Sequence, residues 1–202
     1  MDGRGKDMRG KDWTGSERRG EEWKGGIDVN VNVKKWVVSI RGKKLLQNNP
    51  ESGRLKGPEK ETPPELLLYR DENGNICQPA IHIKKAIEHA AGTINRKYIP
   101  LIRAYLHIEP ELIPHKNQKW KPFGTWTVVK AAKNARVWKT RPMIENWELT
   151  FTVISLNPKE LNGDLIKAAL ERAGALYGIG DWRPQKGGSF GLFELVQFEE
   201  VN

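Results

Sequence analysis

The sequence predicts an α+β fold, a ferredoxin-like (RRM-like) antiparallel sheet with two helices on one face, with insertions and a disordered N-terminal tail. Three observations carry this. Trp147, Leu149, Phe151 and Val153 alternate with Glu148, Thr150 and Thr152, the period-two signature of a strand with one buried face. Apolar stripes at helical spacing occupy about 80–91 and 166–177. The elements then run strand, helix, strands, helix, strand, the order of a split βαβ unit.

Residues 1–26 repeat Arg-Gly-Lys-Asp at 4–7 and 9–12 and hold almost no aliphatic side chain. Such a segment cannot bury enough surface to offset the entropy of ordering it, so it is expected as a disordered Arg/Gly-rich tail ahead of a domain spanning 27–202. The first strand is expected from Ile27 to Arg41, where Val29, Val31 and Val33 alternate with asparagine and Trp36, Val38 and Ile40 resume the alternation after a register change near Lys34-Lys35. Residues 47–64 carry turn formers without periodicity and read as a mobile loop. Leu66–Tyr69 and Ile76-Cys77 are expected to pair as a short hairpin through Asn73-Gly74.

In the helix at 80–91, Ala80, Ile83, Ile87, Ala90 and Ala91 share the inward face, Lys84, Lys85 and Glu88 fall outside it, and Gly92 is placed to end it. Residues 98–113 suit a strand or a broken helix equally. Residues 125–131 and 136–144 read as a hairpin turning at Lys133-Asn134-Ala135. Asn157-Pro158 opens a second helix region whose stripe is Ile166, Ala169, Leu170, Ala173, Leu176 and Tyr177, ending at Gly178; a last strand covers about 190–199.

Lysine and arginine exceed aspartate and glutamate by 34 to 25, for a net charge of +9 and a pI near 9.6. The tail's seven basic and six acidic residues nearly cancel, so the field belongs to the folded part. A surplus of this size favours polyanions. No apolar run approaches the roughly 20 residues needed to cross a bilayer, and the N-terminus has no apolar secretory core, so a cytoplasmic protein without a membrane partner is expected. One cysteine, Cys77, and four histidines away from metal-ligand spacing lead us to expect no disulfide, metal or cofactor. No Walker loop, Ser/His/Asp spacing or paired-carboxylate motif occurs.

Two segments carry chemistry. In 178–193, Gly178, Gly180, Gly187, Gly188 and Gly191 surround Trp182, Arg183 and Lys186, which suits either a backbone cradle for phosphates or a plain helix-to-strand connection. In the hairpin, Lys130, Lys133, Arg136, Lys139 and Arg141 interleave with Trp126 and Trp138, giving cations for phosphates beside flat surfaces for bases unless the indoles are core. Lys34, Lys35, Arg41, Lys43 and Lys44 flank the first strand and extend the patch or form a solvated rim. His82 and His89 share a helix face at a separation of about 10 Å, too far for a direct acid–base pair.

The run Gly178-Ile179-Gly180, a basic linker and Gly188-Ser189-Phe190-Gly191 before a strand resembles the glycine-rich loop of the RAMP superfamily, the ferredoxin-like RNA-binding proteins that include CRISPR-associated subunits. Asn75–Ile87 is similar to that family's strand, Pro-led turn and helix, with Lys84-Lys85 where a glycine is usual. The resemblance implies a noncatalytic subunit that binds single-stranded RNA or DNA, with ribonucleoprotein subunits or further copies of itself as partners. Its nucleic-acid contacts would come from Lys84, Lys85, the hairpin cations with Trp138, and Gly180, Trp182, Arg183, Lys186, Gly187, Gly188 and Gly191. Two alternatives stand beside it: an endoribonuclease using His82 or His89, and a structural or interaction protein of a virus or mobile element.

Overall fold

The computed structural model describes residues 32–50, 62–129 and 135–201. The tail, the segment Ile27–Val31, most of the 47–64 loop and the hairpin turn with Lys130 and Lys133 lie outside these residues.

Four strands form the main path of a five-stranded sheet: β1 (Lys34–Leu46), β3 (Leu106–Glu109), β6 (Ala135–Ser155) and β7 (Glu194–Val201), in the order β3-β6-β1-β7, every pair antiparallel. With α1 (Ala80–Ile94) and α2 (Tyr98–Tyr105) between β1 and β3, and α3 (Gly163–Arg172) between β6 and β7, these are two interleaved split βαβ units, the ferredoxin-like topology. β2 (Cys77–Pro79) and β4 (Leu112–Pro114) make a separate two-stranded ribbon, and β5 (Lys121–Val129) pairs with β6 alone.

Period-two alternation puts Trp36, Val38 and Ile40 of β1 opposite Val153, Phe151 and Leu149 of β6, all buried, beneath α1 and α3, which pack on each other. Ile83, Ile87, Ile166 and Leu170 close the same core from above. Each fully buried aliphatic side chain there contributes about 1.5–3 kcal/mol. The opposite face is a polar seam: Ser39 Oγ lies 2.9 Å from Thr150 Oγ1, Arg41 pairs with Glu194 and Lys116 with Glu148. The cations Arg41 and Lys116 are thus bound by carboxylates on the sheet face away from the helices.

Several expectations need correction. β1 runs on to Leu46 instead of stopping at Arg41, because Leu45 and Leu46 are buried under the later loop. Pro64–Leu67 is a 3₁₀ turn, and Cys77–Pro79 pairs with Leu112–Pro114; of the expected hairpin the inner end survives, Cys77 N–H donating to Tyr69 O at 2.9 Å beside an Arg70–Ile76 bridge around Asp71, whose carboxylate accepts the Asn73 and Asn75 amides. Helix α1 passes through Gly92, which ends nothing: a Cβ there would lie 2.9 Å from Ile99 Cδ1, so the glycine admits α2. Glu88 is buried, because Arg103 of α2 and Lys85 both reach its carboxylate, at 2.5 and 2.9 Å. Burial opposes its charge, but those hydrogen bonds prevail and hold its pKa below the usual range.

The ambiguous 98–113 segment is both things in turn, α2 and then β3. The second hairpin arm and the alternating strand at 147–153 are one 21-residue strand, β6. Helix α3 starts later than Asn157: Asn162 caps it, its side-chain oxygen accepting the Leu165 amide at 2.9 Å. A π-helical turn at Ala173–Tyr177 then rotates the stripe, leaving Leu176 exposed. The last strand begins at Glu194, four residues later than expected, since 190–193 belong to the loop.

Candidate nucleic-acid interface

β5 pairs with residues 135–143 of β6 and β1 with 143–155, so the β5–β6 arm projects beyond the end of β1. Trp126 and Trp138 stand directly opposite on it, their rings 5.5 Å apart and edge-to-face. They are 64% and 45% exposed, which removes the core reading of these indoles. Arg136 is exposed and Lys139 half-buried beside them, neither with a carboxylate partner among the described residues.

Residues 178–193 return from the π turn and lie across the end of β1. The Ile179 amide donates to Gly191 O, Asp181 to Leu46 O, Gly188 to Arg183 O, Phe190 to Trp182 O and Gly191 to Lys44 O. Most of the backbone cradle expected from the glycines is therefore not presented, because the amides of Gly178, Gly187, Gly188 and Gly191 are already donated to the chain's own carbonyls. The glycines serve that folding: Gly191 has φ +74, and a Cβ on it would collide with Ile179 O. What the loop offers is side chains.

Those side chains line three clefts that meet at the loop. In the first, about 360 Å³, Trp126 and Thr125 of the arm face Trp182, Lys186, Gly187, Gly188, Ser189 and Phe190. Phe123 packs against Phe190 and Trp182 behind it, at ring separations of 5.2 and 6.2 Å. Arg141 bonds Asp181 at 2.9 Å and lies 6.0 Å from the Trp182 ring, joining arm to loop. In the second, about 670 Å³, Lys43 and Lys44 rim an apolar floor of Trp147, Leu192 and Phe193; Ser189 belongs to both. In the third, about 190 Å³, His82, Lys85 and His89 of α1 face Gly178–Gly180, Arg183 and Gln185.

The structure thus brings Lys85, Gly180 and Arg183 together, and separately Trp182, Lys186, Gly187 and Gly188 with the arm. It does not bring in Lys84, whose ammonium donates to Arg103 O on the far side of α1 and whose pKa burial lowers. Lys34 is held by Glu200. Arg183 donates to Gly180 O and Gln185 Oε1, which leaves three of its five N–H groups. His89 stacks on Tyr177 at 6.1 Å. Burial, and then the Arg183 charge, lower the His82 pKa. Phe123 and Gln78 escape the sequence reading, and Phe190 enters it only within the glycine motif; aromatic residues three apart on one arm, and glutamine four before histidine at a helix start, are the available signals.

Among the described residues no helix is long and apolar enough to cross a membrane, and no group of three His, Cys, Asp or Glu could hold a metal ion. No family model and no curated protein matches the chain. Among solved structures it is similar to a chain of the type III-B Cmr-β complex, determined by cryo-electron microscopy bound to cognate target RNA, with a TM-score of 0.57 and 13% sequence identity over 84% of this chain and 61% of that one. The likeness is one of fold, ferredoxin-like, and the chain spans about three-fifths of that chain's length.

Proposed function

We propose that the protein is a noncatalytic RNA-binding subunit of RAMP type, holding a single strand across the 178–191 loop within a CRISPR-type ribonucleoprotein. The observation that carries this is the meeting of three clefts on one loop, with Lys43, Lys44, Arg183 and Lys186 free of carboxylate partners among the described residues and with exposed indoles at Trp126 and Trp138. Stacking is worth about 1–3 kcal/mol per base, and each neutralised phosphate adds a salt-dependent term, so the combination suits a single strand better than a duplex. The fold likeness to a chain of an RNA-bound complex supports RNA as the polymer. Cleavage forms no part of the proposal: His82 is tied to Gln78 and His89 to Tyr177, so neither faces the other as an acid–base pair.

Fluorescence anisotropy of the full chain with end-labelled single-stranded RNA, single-stranded DNA and duplex RNA tests this. Single-stranded RNA binds tightest and is recovered uncut, and its affinity falls steeply between about 50 and 200 mM salt. Affinity flat across that range, or a preference for duplex, overturns the proposal.

A further inference from the structure

A hydrogen-bonded chain of side chains runs from the core to the α1–loop cleft, and its polarity can be read outward from the backbone. Gln47 is buried, and backbone partners orient its amide: Oε1 accepts the Tyr69 N–H at 3.0 Å while Nε2 donates to Cys77 O at 2.7 Å. That Nε2 lies 3.3 Å from Gln78 Oε1 and 3.3 Å from His115 Nε2, so its second hydrogen is shared between the two. Turning the Gln78 amide over would set two NH₂ groups against each other, so Oε1 of Gln78, which is also fully buried, must face Gln47. Its Nε2 then donates to His82 Nδ1, 2.7 Å away. A ring nitrogen that accepts carries no proton, so in the neutral imidazole the proton sits on Nε2.

The Arg183 charge acts in the same sense, while Glu111 is the carboxylate on the other side of the ring. Arg183 approaches from the loop, Lys85 and Lys84 share its helix, His89 lines the same cleft, and the Tyr69 ring stands edge-on at 5.3 Å; on its other side His107 and Glu111 line a neighbouring cleft. Nδ1 is occupied, so Nε2–H is the ring group left for a ligand, in the cleft that Arg183 also lines with three N–H groups that no described residue accepts.

We infer that Gln47 and Gln78 lock His82 as a neutral Nε2–H donor, and that this donor and Arg183 form a subsite for one phosphate group in the cleft between α1 and the glycine loop. The phosphate assignment rests on the RNA-binding proposal; the lock does not. Gln78 is a positioning residue, acting on the ligand only through His82.

The test uses the full chain labelled with ¹⁵N-histidine. At pH 7.5 the long-range ¹H–¹⁵N spectrum shows His82 protonated at Nε2 and bare at Nδ1, and inorganic phosphate shifts the Nε2–H signal. Gln78→Glu, whose carboxylate only accepts, moves the proton to Nδ1, and Gln78→Leu gives mixed tautomers. Wild-type His82 protonated at Nδ1, or one tautomer unchanged in both variants, overturns the lock; no response of His82 to phosphate overturns the subsite. With single-stranded RNA, His82→Ala weakens binding roughly 2- to 10-fold, the worth of one neutral hydrogen bond. It leaves the salt slope unchanged, whereas Arg183→Ala reduces that slope by about 0.7, the single-strand value for one phosphate contact. Equal slope losses in the two variants show a charged His82 and overturn the inference. A chain that binds no RNA at all refutes the broader proposal, while the spectra still decide this one.

Discussion

Arg141 donates through Nε to Asp181 Oδ2 at 2.9 Å, and this ion pair ties the projecting β5–β6 arm to the glycine loop. Both side chains are mostly buried, so the partner left behind by a deletion cannot recover full hydration. Arg141→Ala therefore destabilises the protein by about 1–3 kcal/mol in urea unfolding and weakens single-stranded RNA binding through a misplaced Trp182. Binding unaltered in the variant shows that the arm and loop act independently.

Trp126 is 64% exposed, with its ring edge-to-face on Trp138, so its removal separates binding from stability. Trp126→Ala weakens RNA binding by about 1–3 kcal/mol while leaving the thermal midpoint nearly unchanged. A fall in the midpoint with intact affinity makes the indole structural.

Loop glycines divide by what surrounds them. Gly191 and Gly187 both have positive φ, but a side chain on Gly191 meets Ile179 O, whereas nothing lies within 4 Å of one on Gly187. Gly187→Ala costs about 1 kcal/mol, the left-handed penalty alone, and Gly191→Ala costs several-fold more. Calorimetry of the two variants reads the difference directly.

His115 sets an acid limit on stability. Burial lowers its pKa from 6.5 to about 4. The folded state thus resists the charged form, so this contribution is complete above pH 6.5 and is lost as the pH falls toward 4. Between about pH 7 and pH 5 the loss from this group is about 2 kcal/mol. Urea unfolding at both values shows it in the wild type, and His115→Gln reduces the difference by that amount; an undiminished difference assigns the acid sensitivity elsewhere.

The two helical stripes and the strand alternations are legible because burial on one face imposes a local period: Ile83 and Ile87 recur one turn apart in α1, and Leu149, Phe151 and Val153 recur at every second residue of β6. Cys77 keeps a bond to Tyr69 as expected, but the ribbon strand Cys77–Pro79 is not legible, for the opposite reason: three residues carry no period, and Leu112–Pro114, far along the chain, decides their partner. Glu88 reads as exposed because its compensating partner, Arg103, belongs to another helix. The interface is half visible in the same way. The cations and indoles can be named, but Lys84 and Lys85, adjacent in sequence, leave α1 on different sides, and Lys84 is lost to the cleft.

By itself the sequence determined the basic surplus, the ferredoxin-like order of elements and the presence of a glycine loop, since each follows from composition or from patterning over a few turns. Only the tertiary structure decided that four of the five loop glycines donate their amides internally, that Arg141 binds the arm to Asp181, and that Gln47, 31 residues from Gln78 in the chain, orients the amide that sets the His82 proton. Hydrogen-bond polarity passes between groups that touch in space, and contacts between distant segments leave no periodic trace along a chain.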